Sequence, residues 1–61
     1  MDCKKHIYDI IAEYGSVTLS FLMQDLVYHG IDRSEADTAI SQLVSRGLVY
    51  RPSPETLEAV N

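Results

Sequence analysis

The chain has 61 residues, five Lys or Arg against nine Asp or Glu, and a formal net charge of −4. That length allows one small domain. The acidic balance argues against a strong non-specific phosphate binder, which needs clustered basic residues. One cysteine excludes an internal disulfide and fits a reducing, cytoplasmic setting. No apolar run approaches the roughly 18 residues needed to span a membrane.

The first element predicted is an amphipathic helix over residues 2–14. Asp2 is placed to cap its start and Gly15 to end it. The apolar positions at helical spacing are Cys3, Ile7, Ile10, Ile11 and Tyr14. The next three residues, 16–18, are β-prone and predict a short strand.

A second helix is predicted over residues 19–29, with Gly30 ending it. One face carries the apolar residues Leu19, Leu22, Met23, Leu26 and Val27. Phe21 and Tyr28 point away from that face, and two interpretations stay open. Either this helix is sandwiched and buries two faces, or these aromatic residues form an exposed patch that binds a protein partner.

The third helix is predicted over residues 33–46, with Asp32 as its N-cap and Gly47 beyond its last turn. Its core face holds Ala36, Ala39, Ile40, Leu43 and Val44. Only a few residues separate the second and third helices. That short connection is typical of a helix-turn-helix.

The outward face of the third helix is the place where DNA recognition is expected. Small hydroxyl side chains occupy it at Ser34, Thr38, Ser41 and Ser45, and Arg33 and Arg46 lie at its margins. Such groups can bond phosphates or base edges at close range. Acidic residues are absent from the centre of the predicted face, with Glu35 and Asp37 at its flanks. The same residues also fit an ordinary solvated surface.

A β-hairpin wing is predicted to follow, with strands over 48–51 and 56–60 and a proline-marked turn over 52–55. Arg51 can reach a phosphate from the wing, or pair across the hairpin with Glu55 or Glu58, which is the preferred interpretation. Three helices with a small antiparallel sheet define an α+β, mostly helical fold. The whole chain, residues 1–61, therefore reads as a single winged helix-turn-helix domain.

Catalysis and metal binding are not expected. His6 and His29 lie on separate predicted helices, and no pair of His, Cys or carboxylate residues shows metal-ligand spacing. Cys3 and His6 form an i, i+3 pair on one helix, and such a pair is far more often incidental than a ligand set. Cys3 has no evident base or pocket that would make it a nucleophile. The sequence thus predicts a non-enzyme with no catalytic residues, no cofactor and no small-molecule substrate.

Three segments of the chain carry a resemblance to a known family. They are Gly30-Ile31-Asp32-Arg33-Ser34-Glu35, Leu43-Val44-Ser45-Arg46-Gly47-Leu48-Val49-Tyr50-Arg51-Pro52 and Leu57-Glu58-Ala59-Val60. Together with the first helix and short strand, they resemble the C-terminal winged-helix domain of archaeal minichromosome maintenance (MCM) replicative helicases.

The resemblance implies a module appended to a replication helicase. Such a module would tune the motor through protein contacts, bind duplex DNA weakly at most, and reside in the cytoplasm with the nucleoid. Its partner would be the rest of the helicase or another protein. The alternative is a small free-standing winged-helix transcriptional regulator, which as a dimer would use Phe21 and Tyr28 as its interface.

Overall fold

The computed structural model describes residues 2–60 of the chain. Its elements in order are α1 (Cys3–Tyr14), β1 (Ser16–Thr18), α2 (Leu19–Tyr28), α3 (Arg33–Ser45), β2 (Val49–Ser53) and β3 (Thr56–Ala59). The three strands form one antiparallel sheet in the order β1-β3-β2. The architecture is a small α+β fold of the winged-helix type, which confirms the predicted fold class.

Each helix begins at a side chain that accepts a backbone N–H three residues further on. Asp2 accepts from Lys5 at 3.3 Å and starts α1. Thr18 starts α2 by accepting from Phe21 at 3.1 Å. Asp32 starts α3 in the same way. Caps of this kind each stabilise a helix by about 1 kcal/mol, so the starts are fixed locally.

Two helices end in a Schellman motif. At the end of α2, Ile31 N donates to Leu26 O at 2.9 Å. At the end of α3, Leu48 N donates to Leu43 O at 3.1 Å. Each motif needs a residue at positive φ just before the returning N–H, and a glycine supplies it at position 30 (φ 78) and position 47 (φ 75). The first motif also buries Ile31, which closes the turn between α2 and α3.

The sheet joins the segment after α1 to the hairpin formed by the last two strands. Val17 of β1 faces Leu57 of β3, and Val49 of β2 faces Ala59 of β3. The side chains of Val17, Leu57 and Val49 are buried, whereas most of the remaining strand residues are exposed. The sheet therefore covers the helices with one apolar face.

The wing differs from the sequence prediction in its length and turn. We expected the first wing strand to end at 51 and the turn to span 52–55. Instead β2 continues to Ser53, which pairs with Thr56, and the turn is only Pro54-Glu55. Pro52 is tolerated because β2 is an edge strand and its register is irregular between Tyr50 and Ser53.

One buried cluster forms the core. Its members are Ile7, Ile11, Val17, Leu22, Leu26, Ile31, Ala36, Ala39, Ile40, Leu43, Val49 and Leu57. Three residues predicted on core faces are instead exposed: Tyr14 at 61%, Val27 at 66% and Val44 at 37%. Each lies at the edge of its helix's apolar stripe, and neither sheet nor helix covers that edge.

Candidate functional site

A shallow, open hollow runs along the outward face of α3 and is lined mainly by hydroxyl and amide groups. Its volume is about 350 Å³, and Asp37, Thr38, Ser41, Gln42 and Ser45 line it. The Thr38 hydroxyl donates to the Ser34 carbonyl at 3.0 Å, so its proton is already used within the helix. Ser34, Ser41 and Ser45 are exposed, as predicted for a face that contacts a ligand.

A carboxylate borders this face, at the flank position where the sequence predicts Asp37. Asp37 lines the same hollow as Thr38 and Ser41. Its carboxylate also lies 3.7 Å from Arg33 Nε, one turn earlier on the helix. Both side chains are exposed, so the pair itself contributes little to stability. The Arg33–Asp37 pair matters for electrostatics, because the carboxylate partly neutralises the positive charge that Arg33 would offer to a phosphate.

The other two predicted basic residues are placed differently. Arg46 is the C-cap residue of α3 and is exposed. Arg51 lies on β2 and donates from its guanidinium to the Pro54 carbonyl at 2.8 Å. Among residues 2–60, neither arginine is in an ion pair. The expected pairing of Arg51 with Glu55 or Glu58 is therefore wrong.

Glu58 has a different partner on the wing. It accepts a hydrogen bond from the hydroxyl of Tyr50, the residue opposite it in the β2–β3 register. This bond to a carboxylate, together with the carboxylate's charge, raises the pKa of Tyr50 above its usual 10.0. Arg51 is left to brace the Pro54 turn at the wing tip.

The start of α1 adds charges beside α3 that sequence reasoning missed. Lys4 and Asp2 line a second hollow of about 370 Å³ with Glu35, Thr38 and Gln42. The start of α1 thus adds one lysine and one carboxylate beside α3, where Glu35 of α3 is a second carboxylate. Only the packing of α1 on α3 brings these groups together, so no local pattern could have revealed them.

The thiol of Cys3 lies in the same hollow. Burial, followed by the charges of Glu35 and Asp2, raises the pKa of Cys3 above its usual 9.0. A raised pKa keeps the thiol protonated at neutral pH and makes it a poor nucleophile.

The two aromatic residues predicted as a protein interface are both exposed, Phe21 at 46% and Tyr28 at 86%. The interpretation in which α2 is sandwiched and buries both faces is therefore wrong. Phe21 packs edge-to-face on Tyr14 with ring centroids 5.4 Å apart. These two rings flank a largely apolar hollow of about 320 Å³, whose other lining residues come from the edge strand β1.

A polar cluster joins α1 to α2 and was not foreseen. His6 Nε2 lies 2.7 Å from the Asp25 carboxylate, and His29 Nδ1 lies 3.5 Å from the same oxygen. The two histidines come from separate helical segments, as predicted, but their side chains meet at Asp25, which the sequence prediction did not include. The local signal that could have been read is the i, i+4 spacing of Asp25 and His29.

No protein-family model, curated protein or solved structure matches this chain. Within the part of the chain that is described, no helix has the length and apolar character that crossing a bilayer requires.

Proposed function

We propose that this chain is a non-catalytic winged-helix module that acts mainly through protein contacts and binds duplex DNA weakly at most. The observation that carries the proposal is the exposure of three aromatic side chains, namely the packed pair Tyr14 and Phe21, and Tyr28 further along α2. Aromatic side chains of this kind supply a large share of binding energy at protein interfaces. A hollow beside Tyr14 and Phe21 gives a partner side chain a place to insert.

The surface of α3 supports the second half of the proposal. A net charge of −4 and a carboxylate beside the hydroxyl face both oppose the approach of phosphates. Arg33 is engaged by Asp37, which leaves Arg46 and Arg51 as the basic groups best placed for DNA. Two phosphate contacts support only weak, strongly salt-dependent binding.

The cellular setting that we propose is a replication helicase, on the strength of the sequence resemblance to archaeal MCM C-terminal domains. The partner is then the rest of the helicase motor, and the module is nucleoid-associated in the cytoplasm. Neither a small-molecule substrate nor a cofactor is part of this proposal.

The test is binding in trans to an archaeal MCM hexamer that lacks its own C-terminal domain. We expect the ¹⁵N-labelled chain to show amide shifts at Tyr14, Phe21 and Tyr28, and the hexamer's ATPase rate to change. Phe21→Ala should weaken binding by about tenfold or more, as for an interface anchor. Leu48→Ala is the matched control, since Leu48 is 42% exposed but lies elsewhere. Equal losses in both variants, or no binding, would refute the proposal.

The alternative function, a free-standing DNA-binding regulator, is favoured by one observation. Arg46 and Arg51 are free of ion pairs within residues 2–60 and lie on α3 and the wing, the two elements that this fold presents to DNA. A regulator should bind a short duplex in low salt with shifts at Ser34, Thr38 and Ser41. Arg46→Ala and Arg51→Ala should each reduce the salt slope by about 1. A silent α3 would exclude this alternative.

A further inference from the structure

His6, Asp25 and His29 form a three-residue cluster at the α1–α2 contact. One nitrogen or carboxylate oxygen from each residue lies within 4.8 Å of the other two. The imidazole rings of His6 and His29 approach edge-to-face with their centroids 4.9 Å apart. We propose that this cluster binds a divalent transition-metal ion of the zinc class. The proposal does not depend on the function proposed above.

The donor chemistry selects the class of ion. Two imidazole nitrogens and one carboxylate oxygen suit Zn²⁺, Co²⁺, Ni²⁺ or Cu²⁺, whereas Mg²⁺ and Ca²⁺ prefer an all-oxygen shell. Zinc sites with three protein ligands use the same donor types and leave the fourth position to water. The three side chains are 25%, 33% and 38% exposed in the order His6, Asp25, His29, so solvent can reach that position.

Two of the three distances between ligand atoms are close to those that tetrahedral coordination requires, and all three are within 4.8 Å. Metal–ligand bonds of about 2.0–2.1 Å place neighbouring ligand atoms about 3.3 Å apart. His29 Nδ1 is already 3.5 Å from the Asp25 carboxylate oxygen. His6 Nε2 is nearer to that oxygen, at 2.7 Å, because the two groups share a hydrogen bond. Opening this contact by about 0.6 Å needs only a small side-chain rotation, since all three groups are near the surface.

The helices supply the rigidity that a site needs. Asp25 lies near the end of α2 and His29 is the C-cap residue four positions later, so both side chains lie on the same side of the helix end. His6 projects from α1, directly after the helix's first turn. As the side chains stand, His29 Nδ1 donates to the Asp25 carbonyl at 2.9 Å, and His6 Nε2 donates to the carboxylate. Metal binding replaces these hydrogen bonds, and the ring proton moves from the coordinating nitrogen to the other nitrogen of each imidazole, so that both histidines bind as neutral ligands.

The first measurement follows the imidazole ¹⁵N resonances of the wild-type chain while ZnCl₂ is added. We expect both His6 and His29 to shift together and saturate at one equivalent of Zn²⁺. Binding that favours the folded state should also raise the melting temperature, by roughly 10–20 °C once free Zn²⁺ exceeds Kd about 100-fold. Because the chain has two histidines, each resonance can be assigned from one substitution.

Variants then separate this site from adventitious binding. His6→Gln and His29→Gln should each weaken Zn²⁺ binding by about 100-fold, since each removes a ligand. Cys3→Ser and Asp37→Asn are the controls. Cys3 offers the alternative ligand pair with His6, and Asp37 is an exposed carboxylate paired on another helix. Both should bind Zn²⁺ as the wild type does.

Three results would overturn the proposal. The first is an absence of imidazole shifts in the wild type at about 1 mM free Zn²⁺, well above the range of protein zinc sites. The second is unchanged binding in His6→Gln or His29→Gln. The third is loss of binding in Cys3→Ser, which would assign the ion to a thiolate site instead. The wild-type titration stands by itself if either histidine variant fails to fold.

Discussion

Replacement of Asp37 by Asn tests whether the acidic residue beside the hydroxyl face limits DNA binding. The change removes the charge that lies among Thr38 and Ser41 and releases Arg33 from its 3.7 Å pair. The fold should persist, because an exposed i, i+4 pair contributes only about 0.3–0.5 kcal/mol. Asp37→Asn should therefore raise the affinity for duplex DNA and make it more dependent on salt.

The size of the effect follows from Coulomb's law. A carboxylate about 7 Å from a phosphate costs about 0.6 kcal/mol in water, and two phosphates at that distance cost about 1.2 kcal/mol. Screening reduces this to about 0.9 kcal/mol at 10 mM salt and about 0.5 kcal/mol at 150 mM salt. The expected gain is thus about fivefold in low salt and about twofold near physiological salt. The slope of log K against log salt should steepen by about 0.9 if Arg33 gains a phosphate.

Fluorescence anisotropy with a labelled 20-base-pair duplex, a length of about two helical turns, measures both quantities. Asp9→Asn is the matched control, since Asp9 forms the same kind of i, i+4 pair with Lys5 on α1 and lines neither hollow beside α3. An equal gain in both variants would mean that net charge alone governs binding. An affinity of Asp37→Asn equal to that of the wild type would refute the reasoning outright.

Three further predictions concern the scaffold. Leu26→Ala should lower the free energy of unfolding by about 2–4 kcal/mol, because Leu26 is fully buried; thermal denaturation followed by circular dichroism checks this, and a loss below about 1 kcal/mol would contradict it. Gly47→Ala should cost about 1 kcal/mol through backbone strain alone, since the added Cβ would meet nothing within 4 Å, and Gly47→Asn should cost less in the same assay. Glu58→Gln should lower the pKa of Tyr50 toward 10.0, measured on its ring protons by NMR. Because the pKa of Tyr50 is raised in the folded chain, its hydrogen bond stabilises the fold below pH 10, and this stabilisation is lost as the pH rises through the pKa of the folded state. An unchanged pKa of Tyr50 in Glu58→Gln would exclude this hydrogen bond as the cause.

The helix boundaries could be predicted because their causes are local. Asp32 caps α3 through a bond to the N–H of Glu35, three residues away. Gly47 ends the same helix because its positive φ permits the Schellman motif. Such signals lie within a few residues of each other and need no knowledge of the tertiary structure. They are sufficient to set the order of elements, and that order defines the fold class.

Burial at the margins of the helices could not be predicted in the same way. Helical periodicity identifies the centre of an apolar stripe, as it did for Leu22 and Leu26. It does not give the width that neighbouring elements cover, so Val27 and Val44 were placed inside although they are exposed. The polar cluster could not be predicted for a similar reason. His6 and Asp25 are 19 residues apart in the sequence, and only the tertiary structure brings their side chains together.

The side chains exposed on α2 and α3 favour protein binding over DNA binding as the function of this domain. In a winged helix, α3 normally carries the groups that read DNA and α2 supports it. Here the outward face of α3 is bordered by the carboxylate of Asp37. In contrast, α2 and its C-cap carry two exposed aromatic rings and two members of the histidine–aspartate cluster. A fold does not by itself determine a function, so the site must decide. The surface of α2 and the adjoining end of α1 carries more of the side chains that bind partners than the surface of α3 does. If Phe21→Ala weakens partner binding while Asp37→Asn strengthens DNA binding, this domain has the fold of a DNA-binding protein but binds its protein partner mainly through α2.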